Sequence, residues 1–267
     1  MKIAVTGKGG VGKTTIAATL ARLYAEEGHP VLAADVDPDA NLGLALGFPE
    51  EILDSIVPIT KMRKLIEERT EASADNRFYK INPRVSDIPD KYSKEYNGVK
   101  LLTLGTVETA GSGCVCPEHV MLRRIINSLV LHRGDVVILD MEAGLEHLGR
   151  GTTEGMDMFI VVIEPGARVF RPIRMSNVWP KSLAFIRFMS WQTSTRREDE
   201  AFIQDRIPPE DLLGMVHYNP EIMEADREGS SPYDYSAAAV EEIRKIKQKS
   251  ISQTCLAWKK CDRRKNT

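Results

Sequence analysis

The 267-residue chain carries no excess of charge of one sign, since 36 Lys and Arg stand against 38 Asp and Glu. A formal net charge of -2 leaves no global field to steer it onto nucleic acid or an anionic membrane, so neither is expected as a partner. Four cysteines are too few to staple a chain this long, which points to a reducing, cytoplasmic setting. Long apolar runs are missing too, and the start, MKIAVTGKGG, goes straight into strand and loop chemistry. Neither a membrane span nor a signal peptide is therefore expected. With no internal repeat and no low-complexity linker, residues 1–250 read as one domain and residues 251–267 as a disordered basic tail.

What is present is an alternation of short Val/Ile/Leu-rich runs with helix-length segments. That pattern predicts an α/β fold: a doubly wound, mostly parallel sheet with helices on both faces. Strands are expected at Lys2 to Thr6, Pro30 to Asp35, Lys100 to Leu104, Asp135 to Asp140, Asp157 to Ile163 and Leu212 to His217. The clearest helices are Thr14 to Glu27, Glu118 to His132 with Pro117 at its first turn, and Ser236 to Lys249, with a further one at Lys61 to Arg69. Between Gly166 and Pro209 the fold needs another helix and another buried strand, yet Pro172 and Pro180 interrupt the first half. Ser182 to Trp191 is apolar but reads poorly as either element.

The chemistry sits at the N-terminus. Gly7-Lys8-Gly9-Gly10-Val11-Gly12-Lys13-Thr14, followed by Thr15, matches the P-loop pattern, in which backbone N–H groups cradle phosphates. In that pattern Lys13 reaches the terminal phosphates and the Thr14 hydroxyl ligates Mg2+. A strand runs into this loop and a helix leaves it, which aims the helix N-terminus at the anion. The second strand ends in Asp35-Val36-Asp37-Pro38-Asp39-Ala40-Asn41, an acidic turn. A third buried strand ends in Asp140, placed to support Mg2+ at the carboxyl end of the sheet, with the backbone of Gly144 following as a sensor of the terminal phosphate.

Lys8, a second lysine inside the loop, resembles the deviant P-loop class that includes the MinD/ParA proteins, the arsenical and tail-anchor pumps and the nitrogenase iron protein. The resemblance implies that Lys8 crosses a homodimer interface onto the partner's phosphates. It also implies that Asp37, the acid before proline, positions the attacking water and stands close to Mg2+ with Thr14 and Asp140, and that Asn219 and Pro220 border the nucleotide.

Cys114 and Cys116 lie between a Gly/Ser loop and the helix opened by Pro117. Two thiolates at that spacing leave two tetrahedral positions of a metal empty, and a twofold dimer could fill them with the same pair from the second chain. A pair of reduced structural thiols is the plainer alternative. Together with the runs Asp140 to Thr152, Cys114 to His119 and Pro220 to Gly229, these residues resemble the carbon monoxide dehydrogenase maturation factors, the nickel-insertion ATPases. That resemblance covers about residues 1–170 and 197–248. It implies ATP as nucleotide, one Ni2+ or Zn2+ shared per dimer and carbon monoxide dehydrogenase as client.

Two stretches depart from the family pattern. Residues 171–195 lack the strand ending in an adenine-reading Asn, for no Asn occurs between Asn177 and Asn219, and this stretch and the tail from Ile251 look like out-of-frame translation. The competing function is a MinD/ParA-like positioning or partition ATPase acting as a membrane- or DNA-associated switch. Its support is the basic cluster Lys259, Lys260, Arg263, Arg264 and Lys265, but it leaves Cys114 and Cys116 unexplained.

Overall fold

In the computed structural model, residues 1–72, 79–106, 117–129, 132, 134–141, 155–163, 186–191, 201, 203–205, 207–209 and 211–265 are described, with the backbone alone over 186–191 and 253–265. Eight strands form one sheet: β1 (Lys2–Gly7), β2 (Val31–Asp35), β3 (Lys94–Tyr96), β4 (Val99–Thr103), β5 (Val136–Asp140), β6 (Met158–Ile163), β7 (Ile186–Trp191) and β8 (Leu212–Val216). Their order is β3-β4-β2-β5-β1-β6-β7-β8, and all neighbours are parallel except β3 against β4.

The two-residue period of a strand sorts these sequences onto two faces. Ile3, Val5, Ala33, Ile138, Ile160 and Val162 enter one core, and Ala4, Ala34, Val137, Leu139 and Phe159 the other. The first core is closed by α1 (Lys13–Glu26), α2 (Leu42–Ala45) and the C-terminal helix; the second by α4 (Arg63–Thr70), α5 (Ile88–Tyr92) and α6 (Pro117–Ser128). A short α3 (Glu50–Leu53) follows α2. Both faces being covered explains why the strands read as continuous apolar runs.

Three differences from expectation concern the second half of the chain and the sheet edge. A strand, β7, does form inside the 171–195 stretch, pairing in parallel with β6 and β8. Its formation follows from its slot, because two flanking strands present N–H and C=O groups that a peptide between them satisfies whatever its periodicity. The stretch expected as a disordered tail is helical as far as Lys265: after α7 (Pro220–Arg227) and α8 (Pro232–Tyr235), helix α9 runs from Ala237 to Lys265, well past Lys249. The antiparallel edge strand β3, held in a hairpin by Asn97-Gly98 with positive φ at both, was not anticipated. The helix expected at Lys61 to Arg69 is divided into a 3-10 turn, Ile59–Lys61, and α4.

Helix α9 is fastened to α1 by a buried lysine. Lys247 is 1% exposed, lies 4.1 Å over the Tyr24 ring, donates to the Leu23 carbonyl at 3.4 Å and pairs with Glu27. No helix among the described residues is long and apolar enough to cross a membrane.

Candidate functional site

The carboxyl ends of the parallel strands β1, β2 and β5 converge on one edge of the sheet, and the candidate residues lie on the turns leaving them. After β1, the loop from Gly7 to Gly12 turns into α1 with Gly10 at φ 78° and Gly12 at φ 89°, conformations that side chains rarely adopt. At Gly7, φ is 154° and a Cβ would stand 2.3 Å from the Val162 carbonyl oxygen of β6, so only glycine fits this close approach. The first turn of α1 has no side-chain cap and no acidic residue. Its N–H groups and the positive end of its dipole therefore stay available to an anion.

Lys8, Gly9 and Gly10 are exposed, Val11 is buried under the loop, and Thr14 and Thr15 are half-buried. Lys13 is buried, with Nζ donating to the Lys8 carbonyl at 3.4 Å. The Lys13 ammonium is thus tethered to the backbone of the loop.

Asp35 and Asp140 end the adjacent strands β2 and β5 in register, and both are fully buried. Burial pushes Asp140 up to about 6; the neighbouring Thr14 hydroxyl, which does not reach hydrogen-bond geometry, and the Lys13 ammonium act in the opposite sense, while Asp37 adds to the rise. Neither carboxylate oxygen of Asp140 has a hydrogen-bond partner. A buried, orphaned carboxylate is costly, and a divalent cation with its water shell is the kind of group that satisfies it. Thr14 and Asp37 stand beside it, so the donor set is all oxygen and fits Mg2+.

Asp35 is pushed up to about 7 by burial and by the Asp140 charge, although it is hydrogen-bonded. Its carboxylate accepts from the Asp37 N–H at 3.1 Å and from the Leu42 N–H at 3.0 Å. Asp37 is half-buried and accepts from the Asp39 N–H at 3.1 Å in an Asx-type turn, with Ala40 in the left-handed region at φ 48°. Sequence reasoning placed Asp35 in this turn without giving it a role. The only signal available was its position as the last residue of a buried strand.

Asn219 and Pro220 open α7. The Asn219 carboxamide caps this helix, accepting from the Glu221 N–H at 2.9 Å and donating to the Ser236 hydroxyl at 2.6 Å. Its polar atoms are thereby engaged within the fold. Gly144, Cys114 and Cys116 lie outside the described residues, and among the described ones no group of three or more His, Cys, Asp and Glu is placed to hold a metal ion.

A strand, glycine-rich loop and helix N-terminus beside an orphaned aspartate define a P-loop nucleotide-binding protein. Residues 2–233 match the CobQ/CobB/MinD/ParA nucleotide binding domain, and the chain belongs to that family as one of its ATPases. It is 45% identical over 240 residues to the carbon monoxide dehydrogenase accessory protein CooC of Rhodospirillum rubrum, covering 89% of this chain and 91% of that protein. It is 41% identical over 251 residues to an uncharacterized ATP-binding protein of Methanocaldococcus jannaschii, covering 92% and 96%. Among solved structures, it resembles the septum site-determining protein MinD of Pyrococcus horikoshii complexed with Mg-ADP (TM-score 0.58, 21% identity, 92% and 94% covered). It also resembles a ParA family ATPase from Chlorobium tepidum (TM-score 0.61, 17% identity, 93% and 96% covered). At these identities the two structures speak for the fold alone.

Proposed function

We propose that this chain is an ATP-hydrolysing, dimerising metallochaperone that assists nickel insertion into carbon monoxide dehydrogenase. The observation that carries this reading is the 45% identity to CooC over nearly the whole chain, joined to a Cys-x-Cys pair that a nucleotide switch alone does not need.

The geometry supports the hydrolytic half in specific ways. The Gly7–Gly12 backbone and the α1 N-terminus receive the phosphates, and Lys13 leaves the Lys8 carbonyl to neutralise the terminal ones. Thr14, Asp37 and Asp140 would hold Mg2+, which would supply charge neutralisation for the phosphates. Asp37, on its rigid turn, orients the attacking water. Lys8, exposed in the loop, would reach the phosphates of a second chain. Cys114 and Cys116 bind one metal ion with their counterparts across the dimer axis, the nickel being cargo.

Two variants test the division of labour. Lys13→Ala should lose ATP binding, whereas Asp37→Asn should bind ATP and fail to turn it over; normal turnover by Asp37→Asn removes that residue from the catalytic role. Elemental analysis should find one metal ion per two chains, lost in Cys114→Ser or Cys116→Ser. One tightly bound ion per chain at a monomeric mass contradicts a shared site. The continuation of α9 through the basic residues up to Lys265 favours, as a second reading, a membrane- or DNA-associated switch. Pelleting of the ATP-bound protein with anionic vesicles or duplex DNA, at unchanged metal content, would select it.

A further inference from the structure

The two ends of the turn that carries Asp37 are tied to a single carboxylate. Asp35, 0% exposed at the end of β2, takes the Asp37 N–H on Oδ1 at 3.1 Å and the Leu42 N–H on Oδ2 at 3.0 Å. Residues 36–41 therefore leave and return to the same side chain. Within that span Val36 is pinned to the sheet by its N–H to the Asp140 carbonyl at 2.9 Å, and Ala40 closes on the Asp37 carbonyl at 3.3 Å with positive φ. The far end of α2 is fixed independently, because the Ala45 carbonyl accepts from the Ser231 hydroxyl at 2.8 Å and the Leu46 carbonyl from Arg22 at 3.3 Å. With Val36 held on one side and α2 on the other, the remaining freedom of Asp37 is the swing of its own turn, and the Asp35 carboxylate is what removes it.

We infer that Asp35 is a positioning residue for ATP hydrolysis, setting the place of the Asp37 carboxylate through the Asp37 and Leu42 N–H groups without itself touching the nucleotide. This deepens the proposed role of Asp37 and rests on it. A bland explanation exists: a strand-ending acid that merely satisfies two backbone donors. The two differ in what they predict. A purely structural bond, once lost, lowers stability and ATP affinity together, whereas a lost positioning contact lowers kcat and leaves KM, since reacting groups misplaced by about 1 Å can cost about 100-fold.

The experiment uses the full-length protein and ATP. Asp35→Asn keeps the side-chain volume but turns an NH2 toward one of the two N–H donors, so one bond is lost. It should lower kcat by about 10- to 100-fold with KM for ATP within about threefold. Amide hydrogen exchange over residues 36–42 should quicken, a readout that does not depend on turnover. Asp35→Asn combined with Asp37→Asn should be no slower than Asp37→Asn alone, because the first residue acts only through the second. Unchanged kcat in Asp35→Asn, a multiplicative loss in the double variant, or equal losses of ATP affinity and kcat would each overturn the inference. If instead Asp37→Asn itself keeps normal turnover, the role of Asp37 fails. Slowing by Asp35→Asn in that background would then show that Asp35 acts by another route.

Discussion

The orphaned carboxylate of Asp140 makes a stability prediction whose sign depends on pH. Asp140 is fully buried, faces Asp35 from β2, Asp37 from the turn and Lys13 and Thr14 from α1, and is pushed from 3.8 up to about 6. A carboxylate raised in the folded state holds its proton there at pH values where the unfolded chain has lost it. Stability then falls as pH rises from about 4 to about 6, and the penalty is fully present above that window. At about 1.4 kcal/mol per pKa unit, the ionised group costs the nucleotide-free protein about 3 kcal/mol at pH 8. Asp140→Asn removes the charge but leaves a buried amide imperfectly paired, at roughly 1 kcal/mol, for a net gain of about 2 kcal/mol. For a chain of this size that is a rise of about 4 to 8 °C in Tm. Thermal melts in EDTA without nucleotide should show this gain at pH 8 and its disappearance near pH 4.5. With Mg2+ and ATP at pH 8 the order should reverse, because the charge then has a counterion. A variant no more stable than the parent at pH 8, or a difference independent of pH, would mean that burial does not penalise the Asp140 charge.

Gly7→Ala should abolish ATP binding and lower the melting temperature, since its Cβ would overlap the Val162 carbonyl at 2.3 Å; near-normal binding of a fluorescent ATP analogue would refute the close approach. Lys247→Ala should shift the urea midpoint by an amount equivalent to about 3 kcal/mol by leaving a cavity over Tyr24, whereas Lys247→Met should stay within about 1 kcal/mol, because an apolar replacement of similar length refills that space and Glu27 is exposed to water in either variant. Equal losses in both would show that the charge, not the volume, holds α9 to α1. Because β7 ends at Trp191 without an Asn, the chain should discriminate poorly between ATP and GTP, and a version carrying a Val-rich strand ending in Asn at 186–191 should favour ATP more strongly and melt higher. Equal preference and stability in a direct competition assay would mark the present stretch as a genuine variant.

The loop from Gly7 to Thr15 was legible because its chemistry is local: glycine spacing, a strand before it and a helix after it lie within a few residues of one another. Strands β1, β2, β5 and β6 were legible for a related reason, since burial on both faces imprints a nearly unbroken apolar run on each, and β4 and β8 keep enough of that run although β4 exposes Lys100 and β8 is only partly buried. β7 carries no such imprint. It exists because β6 and β8 leave an unpaired slot between them, a condition written in the neighbours and not in its own residues. Likewise α9 continues to Lys265 where composition alone suggested a free tail.

At the site, residue types and order make Lys13 and Asp140 candidates, because phosphate and Mg2+ chemistry admits few alternatives, and the family resemblance adds Asp37. Asn219 illustrates the limit. The resemblance implies that it borders the nucleotide; what the sequence does not show is that its carboxamide also caps α7 and meets the Ser236 hydroxyl, a partner seventeen residues away. Asp35 illustrates the converse. By itself the sequence determined that an acid ends β2; only the tertiary structure decided that the acid stands in register beside Asp140 and spans both ends of the Asp37 turn, because hydrogen bonds depend on where the sheet and α2 place their donors and spacing along the chain does not encode that distance.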